Sequence, residues 1–535
     1  MTMHCFCHYR HLSSMEASAL HPIAPPDKAG KVVYHLRAVI GWSTNMNETT
    51  KTLEAFLQQH AHRIDQLIDR YDVPLHVIFL EQFEANATAF QDVLRQCYPN
   101  GFVALAVKSN PCRGAVRAAS RLDLGADVAS ENELRLALEE GIPPSRIICN
   151  GNAKTTAYLE TALCSGCHIA VDNQDELSEI EHLCTAHAWQ ASIFLRFRGM
   201  PLAGLTSADQ TTAADWTKFG FHIDEASSLF ATIAKKPSVR FRGVSAHIGT
   251  QIAEPRGYER LLDHLLSLTE EARTHGLTPD TIDVGGGFPV AFLSEGEWRT
   301  FQQKLRTRLS DRSAESVTWN DLSMGYDVPL PADPTWSGKA YWSAVPQSEM
   351  LAYLLGHVFD NGRSCVERLV ALGSPTLIIE PGRALLATAG VTLTRVAGSK
   401  RVLDHHVVAL EMGINNHGTN LISPDMFPAA LLPYRSDDTP VDAFLAGRLC
   451  FSGDMISKTK TTLNRLPKRG DWLVLFHTGA YGADHFASNS CGFLRPGKVA
   501  IRADERTELW RAPETFDAIF GAADDTLLID ESSTS

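Results

Sequence analysis

Between residues 96 and 390, short apolar segments alternate with amphipathic stretches eight times over. The apolar segments read FVALAVKS, GADVAS, RIICNGN, HIAVDN, SIFLRF, FRGVSAHIG, TIDVGGG and TLIIEPG. Such uncharged, Val- and Ile-rich runs are the pattern of strands buried on both faces. Between them lie stretches such as ENELRLALEEG, DELSEIEHLCTAHA and GYERLLDHLLSLTEEARTHG. In the last of these, Leu261, Leu262, Leu265 and Leu266 recur at helical spacing. Gly125, Gly141, Gly166 and Gly276 fall where helices are expected to stop. Repeated strand–helix units imply a parallel sheet with helices outside it. Eight units are the number that closes a TIM-like (β/α)8 barrel; a doubly wound open sheet is the alternative. The barrel is favoured because polar or glycine-rich residues end nearly every strand. A barrel builds its active site on that C-terminal rim.

The texture changes outside this region. VTLTRVAG, HHVVALEMG, AFLAGRLCFSG, DWLVLFHTGAY and GKVAIRAD are β-rich and separated by turns, so residues 391–535 are expected to form a C-terminal β-rich domain, a barrel or sandwich. Residues 56–95, with the strand-like PLHVIFL, are expected to join that β domain in part. Residues 1–55 read as a flexible leader without the continuous apolar core of a secretory signal. Residues 199–218 form a long polar loop. Residues 310–345 form an insertion rich in Pro, Trp and Ser that carries Trp319, Trp336, Tyr341 and Trp342. A structureless stretch of that length in a compact enzyme is usually a lid or an interface, or else disordered, and its aromatic residues favour the former.

Composition narrows the function classes. The net charge of −13 argues against a general nucleic-acid partner. No apolar run approaches the roughly 18 residues that a membrane helix needs. Eleven cysteines without a framework suit a reducing cytoplasm. Cys164 and Cys167 have metal-ligand spacing, but no second pair closes a tetrahedron, so a turn is expected there and no metal.

The strand ends carry Lys108, Ser130, Asn150, Asp172, Arg196, His247, Gly285–Gly286–Gly287, Glu380 and Arg383. A lysine in a partly desolvated pocket can react with an aldehyde. A glycine run after a strand lets backbone N–H groups approach a phosphate, and an arginine beside it would strengthen the hold. A carboxylate can face a ring nitrogen. Together these features point to pyridoxal 5′-phosphate (PLP).

The ordered motifs AVKSNP, GADVASENEL, SAHIGTQI, DVGGGFP, EPGRALLATAGVTLTRV, LCFSGD and HTGAYG resemble the fold-type III PLP-dependent decarboxylases, above all the diaminopimelate, ornithine and arginine decarboxylases. The resemblance covers roughly residues 70–500. It implies that Lys108 bonds covalently to the cofactor and that His247 stacks on its ring. Thr250, Gly286, Gly287, Tyr481 and the backbone around Arg383 would hold the phosphate. Glu380 would face the ring nitrogen, with Asp127 and Gly382 also at the cofactor. Cys450 would reach into the partner subunit's site as a proton donor, so a homodimer with shared active sites is expected.

Departures from the family fall on substrate recognition. Where diaminopimelate decarboxylases have a glutamate after the cysteine, this chain has Phe451. The family's L-I-R-P-x-x-Y segment matches LISPDMF, with Ser423 for the arginine and Phe427 for the tyrosine. An ammonium group buried without a carboxylate partner is strongly disfavoured. Diaminopimelate is therefore not the expected substrate. Arg383, Ser423, Phe427, Phe451 and Asp454 are the expected substrate contacts, with Asp425 and Asp454 as alternative amine partners. The expected reaction is decarboxylation of a small-molecule amino acid. An amino-acid racemase on the same fold and a regulatory homologue without PLP are the alternatives.

Overall fold

The computed structural model describes residues 60–521 except 61, 65, 68, 203–210, 418–425, 434–437, 483 and 486. The expected leader, Ser423 and Asp425 lie outside the described residues.

Eight parallel strands close a barrel. In order they are Gly101–Ala106, Gly125–Val128, Ile147–Cys149, His168–Val171, Ala191–Arg198, Val239–Ser245, Thr281–Asp283 and Thr376–Ile379; the last pairs back to the first. Closure through the pairing of His168–Val171 with Ala191–Arg198 decides against an open sheet. Successive residues of a strand point to opposite faces. One set of alternating positions supplies a small inner core of Ala104, Ile148, Ala170, Phe194 and Ile378, with Phe102 beside it. The other set, including Val103, Leu105, Val128, Ile169 and Ile379, joins the larger core outside the barrel.

Helix ends follow the turn chemistry with one exception. Gly166 caps Thr156–Ser165 in a left-handed conformation, φ 75°. Gly125 caps nothing. Its preceding helix ends at Arg121, and Asp123 takes the left-handed turn at φ 56°. Gly125 instead opens a strand, where a Cβ would lie 2.4 Å from the Arg146 carbonyl oxygen. Close approach of two strands requires the glycine there.

A second sheet stands beside the barrel. Its strands run Met455–Leu463, Val441–Ala446, His405–Leu410, Gly390–Val402, Leu75–Phe79, Gly497–Ile501 and Thr507–Arg511; Trp472–Phe476 joins Gly390–Val402 to Ala429–Leu432. Leu75–Phe79 lies antiparallel to Gly390–Val402 and parallel to Gly497–Ile501. Leu75–Phe79 therefore belongs to the β domain, and helix Leu80–Cys97 leads from it into the barrel. The insertion links both parts. Trp336 packs on Trp298 of helix Glu295–Ser310 at 4.8 Å, and Trp319 packs on Phe444 of the β sheet at 5.3 Å. Among the described residues no helix is long and apolar enough to cross a membrane. No His, Cys, Asp and Glu group suited to a metal occurs among them either.

Candidate active site

The barrel's inward-facing positions change character at the strand ends. Two residues beyond the apolar Ile148, Ala170, Phe194 and Ile378 come Asn150, Asp172, Arg196 and Glu380, all buried. Asp127, Ser245 and Asp283 stand at the corresponding positions of their strands. The same two-residue period that fills the barrel with apolar groups therefore floors its mouth with polar ones.

Lys108 sits above this floor. Its strand ends at Ala106 and the chain makes one 3-10 turn over Val107–Ser109. That turn is tied to the β domain. Tyr481 N–H donates to the Ser109 carbonyl at 2.7 Å, and Asn110 donates its side-chain amide to the Gly479 carbonyl at 3.0 Å. Lys498 Nζ donates to Asn110 Oδ1 at 2.6 Å. Held in this way, Lys108 Nζ donates to Asp127 Oδ2 at 2.7 Å. Asn150 continues the chain, donating to Asp127 Oδ1 at 2.7 Å and to Glu380 Oε1 at 2.9 Å.

The charges of this network are interdependent. Burial opposes the Lys108 ammonium, but Asp127, Tyr481 and Glu380 outweigh it and hold the amine above the usual lysine range. Burial pushes Asp127 up, and Lys108 more than reverses this, leaving it below the usual carboxylate range. Glu380 is raised well above its ordinary value by burial, then by Asp127 and Asp283. Asp283 is pushed up to about 7 by burial, with Asp127 adding to it against the Gly285 N–H bond.

His247 follows the strand Val239–Ser245, and its Nδ1 accepts from Gly286 N–H at 2.9 Å. Burial, then Lys108 and Arg196, pull it down to about 3, so the ring is neutral with its proton on Nε2. The triple glycine is sterically required. A Cβ on Gly286 would stand 2.3 Å from the Glu380 carbonyl oxygen, and Gly287 has φ 93°. A Cβ on Gly382 would stand 2.9 Å from the Tyr481 hydroxyl. Arg383, buried, lies with its guanidinium carbon 4.9 Å from the Tyr481 ring centre. Its Nε has no hydrogen-bond partner among the described residues.

Lys108, His247, Thr250, Gly287, Glu380, Gly382, Arg383 and Tyr481 thus line one pocket, with Gly286 in its wall and Asp127 beneath Lys108. The expected substrate residues are dispersed. Phe427 is buried, packed on His417 at 4.5 Å and Phe292 at 5.9 Å. Cys450 and Phe451 are exposed and line no part of their own chain's pocket. Asp454 accepts from the N–H groups of Ile414 at 2.7 Å and Leu449 at 2.6 Å, so its two carboxylate oxygens organise backbone. Asn150 and Asp283 received no assigned role from the sequence, yet they complete the acidic floor. Counting two residues on from each inner apolar position finds Asn150.

Residues 80–318 match the family model described as "Pyridoxal-dependent decarboxylase, pyridoxal binding domain". An uncharacterized protein, y4yA, of Sinorhizobium fredii is 28% identical over 453 residues, covering 83% of this chain and 91% of that protein. A diaminopimelate decarboxylase of Actinosynnema pretiosum is 28% identical over 443 residues, covering 82% of this chain and 86% of its own length. The fold is similar to that of diaminopimelate decarboxylase from M. jannaschii in co-complex with L-lysine, with TM-score 0.69 at 21% identity over 86% of this chain and 94% of that one. The family match over residues 80–318 and the similarity to these relatives support the resemblance to the PLP-dependent decarboxylases, and the solved structure shows the shared fold. The chain is accordingly a carboxy-lyase acting on a small-molecule amino acid, with PLP as its cofactor.

Proposed function

We propose that this enzyme decarboxylates an amino acid other than diaminopimelate, with Lys108 as the cofactor-bonded lysine and Cys450 donating a proton in the partner's site. The observation that carries the reading is the meeting of Lys108 with Glu380, Arg383 and the glycine turn around one pocket. The residues present fit PLP. Lys108 offers an amine, the glycines leave backbone bare where a Cβ would clash, and Arg383 Nε awaits a partner. When bound, PLP supplies an aldehyde for amines and a ring that accepts the electron pair of a breaking bond.

The chain's own groups do the rest. Gly286, Gly287, Thr250 and Tyr481 hold the phosphate. His247, kept neutral by burial and then by Lys108 and Arg196, offers a flat face without competing charge. Asn150 holds Glu380 through Oε1, and Glu380 would face the cofactor's ring nitrogen. Asp127 holds the Lys108 proton at rest and gives it a local acceptor during turnover. Arg383 steers the substrate carboxylate.

Against diaminopimelate stand the exposed Phe451 and the buried Phe427, whose rings offer no polar partner to a distal ammonium or carboxylate. Homodimers with shared sites belong to this reading, because Cys450 and Phe451 are exposed on the isolated chain. Free cysteines throughout the described residues suit a cytoplasmic location. The test is CO2 release from a panel of L- and D-amino acids with added PLP, beside Lys108→Ala. The variant should lose both CO2 release and the visible absorbance of bound cofactor. Turnover of diaminopimelate, or racemisation without CO2, would overturn the proposal.

A further inference from the structure

The insertion closes on the wall of the cofactor pocket. Tyr341 is buried, and its carbonyl oxygen accepts from Phe292 and Leu293 N–H, both at 3.0 Å. Its ring packs on Phe292 at 6.2 Å, and Phe292 packs on Phe427 at 5.9 Å. Just beyond the insertion, Gln347 N–H donates to the Pro289 carbonyl at 2.7 Å. Its side-chain Nε2 donates to the Ala384 carbonyl at 2.6 Å, next to Arg383. Gln347 therefore ties the loop that follows the glycine turn to the short helix Arg383–Leu386.

Gln251 acts on the same loop from the other side. It lines the pocket and is buried. Its Nε2 donates to the Val290 carbonyl at 2.5 Å, and its Oε1 accepts from Val290 N–H at 3.1 Å. One side-chain amide thus satisfies both backbone groups of one residue. Ile252 N–H donates to the Gly287 carbonyl at 3.0 Å, and the Tyr258 hydroxyl donates to the Gly286 carbonyl at 3.0 Å. The loop after His247 is laced to the glycine turn along its length. Both glutamines stand at positive φ, Gln251 at 55° and Gln347 at 50°. Residues with a side chain rarely adopt that backbone, and they keep it where surrounding contacts impose it.

We propose that Gln251 and Gln347 are positioning residues for the cofactor's phosphate, bracing the glycine turn from two sides so that its bare backbone stays in place. The proposal rests on the reading of Gly286 and Gly287 as the phosphate seat. Such a seat binds through backbone N–H groups, which must point inward together. Gly285 at φ 70° and Gly287 at φ 93° occupy conformations that glycine enters and leaves easily, so the turn does not stiffen itself. Its rigidity comes from its neighbours. Gln251 grips Val290 by N–H and carbonyl, and Gln347 holds Pro289 and Ala384. A seat already formed when its ligand arrives gives up less conformational freedom on binding. Lys108, His247 and Glu380, the groups assigned to the rest of the cofactor, receive no hydrogen bond from either amide.

Pyridoxal, the cofactor without its phosphate, isolates the effect. PLP and pyridoxal are each titrated into the full-length chain freed of cofactor, with binding followed by visible absorbance and by calorimetry. The wild type should favour PLP strongly. Gln251→Leu and Gln347→Leu should each weaken PLP by about tenfold or more and leave pyridoxal at its wild-type affinity. Gln251→Gly removes the same amide from a backbone that glycine accepts, should leucine there fail to fold. Equal weakening of both compounds would reveal a general loosening of the fold and overturn the positioning role. Discrimination that survives the loss of one glutamine overturns the role of that glutamine. Failure of the underlying reading looks different. A wild type that binds PLP and pyridoxal equally has no phosphate seat on the glycine turn, which overturns that reading and the proposal together.

Discussion

Asn150 shows how much one amide does at this site. It donates to Asp127 and Glu380 at once, joining two carboxylates that would otherwise only repel. Asn150→Ala removes both donors and leaves the acceptors buried, a loss of about 1–3 kcal/mol. The melting temperature should fall and PLP should bind more weakly, read by calorimetry and by titration of the visible absorbance. Unchanged cofactor affinity would show that Asp127 and Glu380 hold their places without it.

At the scale of elements, the glycine turn and the tie beneath Lys108 govern the site. A Cβ at position 286 collides with backbone of the next strand's end, and backbone cannot swing away as a side chain can. Gly286→Ala should therefore fold poorly or lose PLP affinity by orders of magnitude. Beneath Lys108, Asp484 pairs with Lys498 and Arg511, and Lys498 reaches Asn110. Burial pushes Asp484 up, but Lys498 and Arg511 bring it down to about 2 against an ordinary 3.8. A lowered carboxylate binds its proton less tightly folded than unfolded. Its contribution is thus complete above the ordinary value and is lost as pH falls from about 4 towards 2. Asp484→Asn should cost about 2 kcal/mol at pH 7, with the gap to wild type closing across that acid range in melting curves. A constant gap would place the stabilisation elsewhere.

At the scale of the whole molecule, Cys450 and Phe451 mark the surface that a second copy would cover. Closed two-fold pairing would place each Cys450 at the other subunit's cofactor. Mixing inactive Lys108→Ala with inactive Cys450→Ala should then restore about a quarter of wild-type activity, since half the dimers would be mixed and each would own one intact site. No recovery after subunit exchange would show that each chain completes its own site.

Much of this molecule can be read from local pattern. Eight strands announce themselves because double-sided burial demands uninterrupted apolar runs, and the rim chemistry follows because each strand must end in something polar. Lys108, the glycine turn and Glu380 are visible for that reason. Asp283 escaped notice because its proton affinity depends on Asp127, from a strand more than a hundred residues away. The approach of Tyr481 to Lys108 and the route of the insertion to Phe427 were likewise undetermined by sequence, for no local periodicity encodes a contact across domains. Strand order, the barrel and its reactive rim are consequences of burial along the chain. Which side chains meet around the pocket was decided by packing between distant segments.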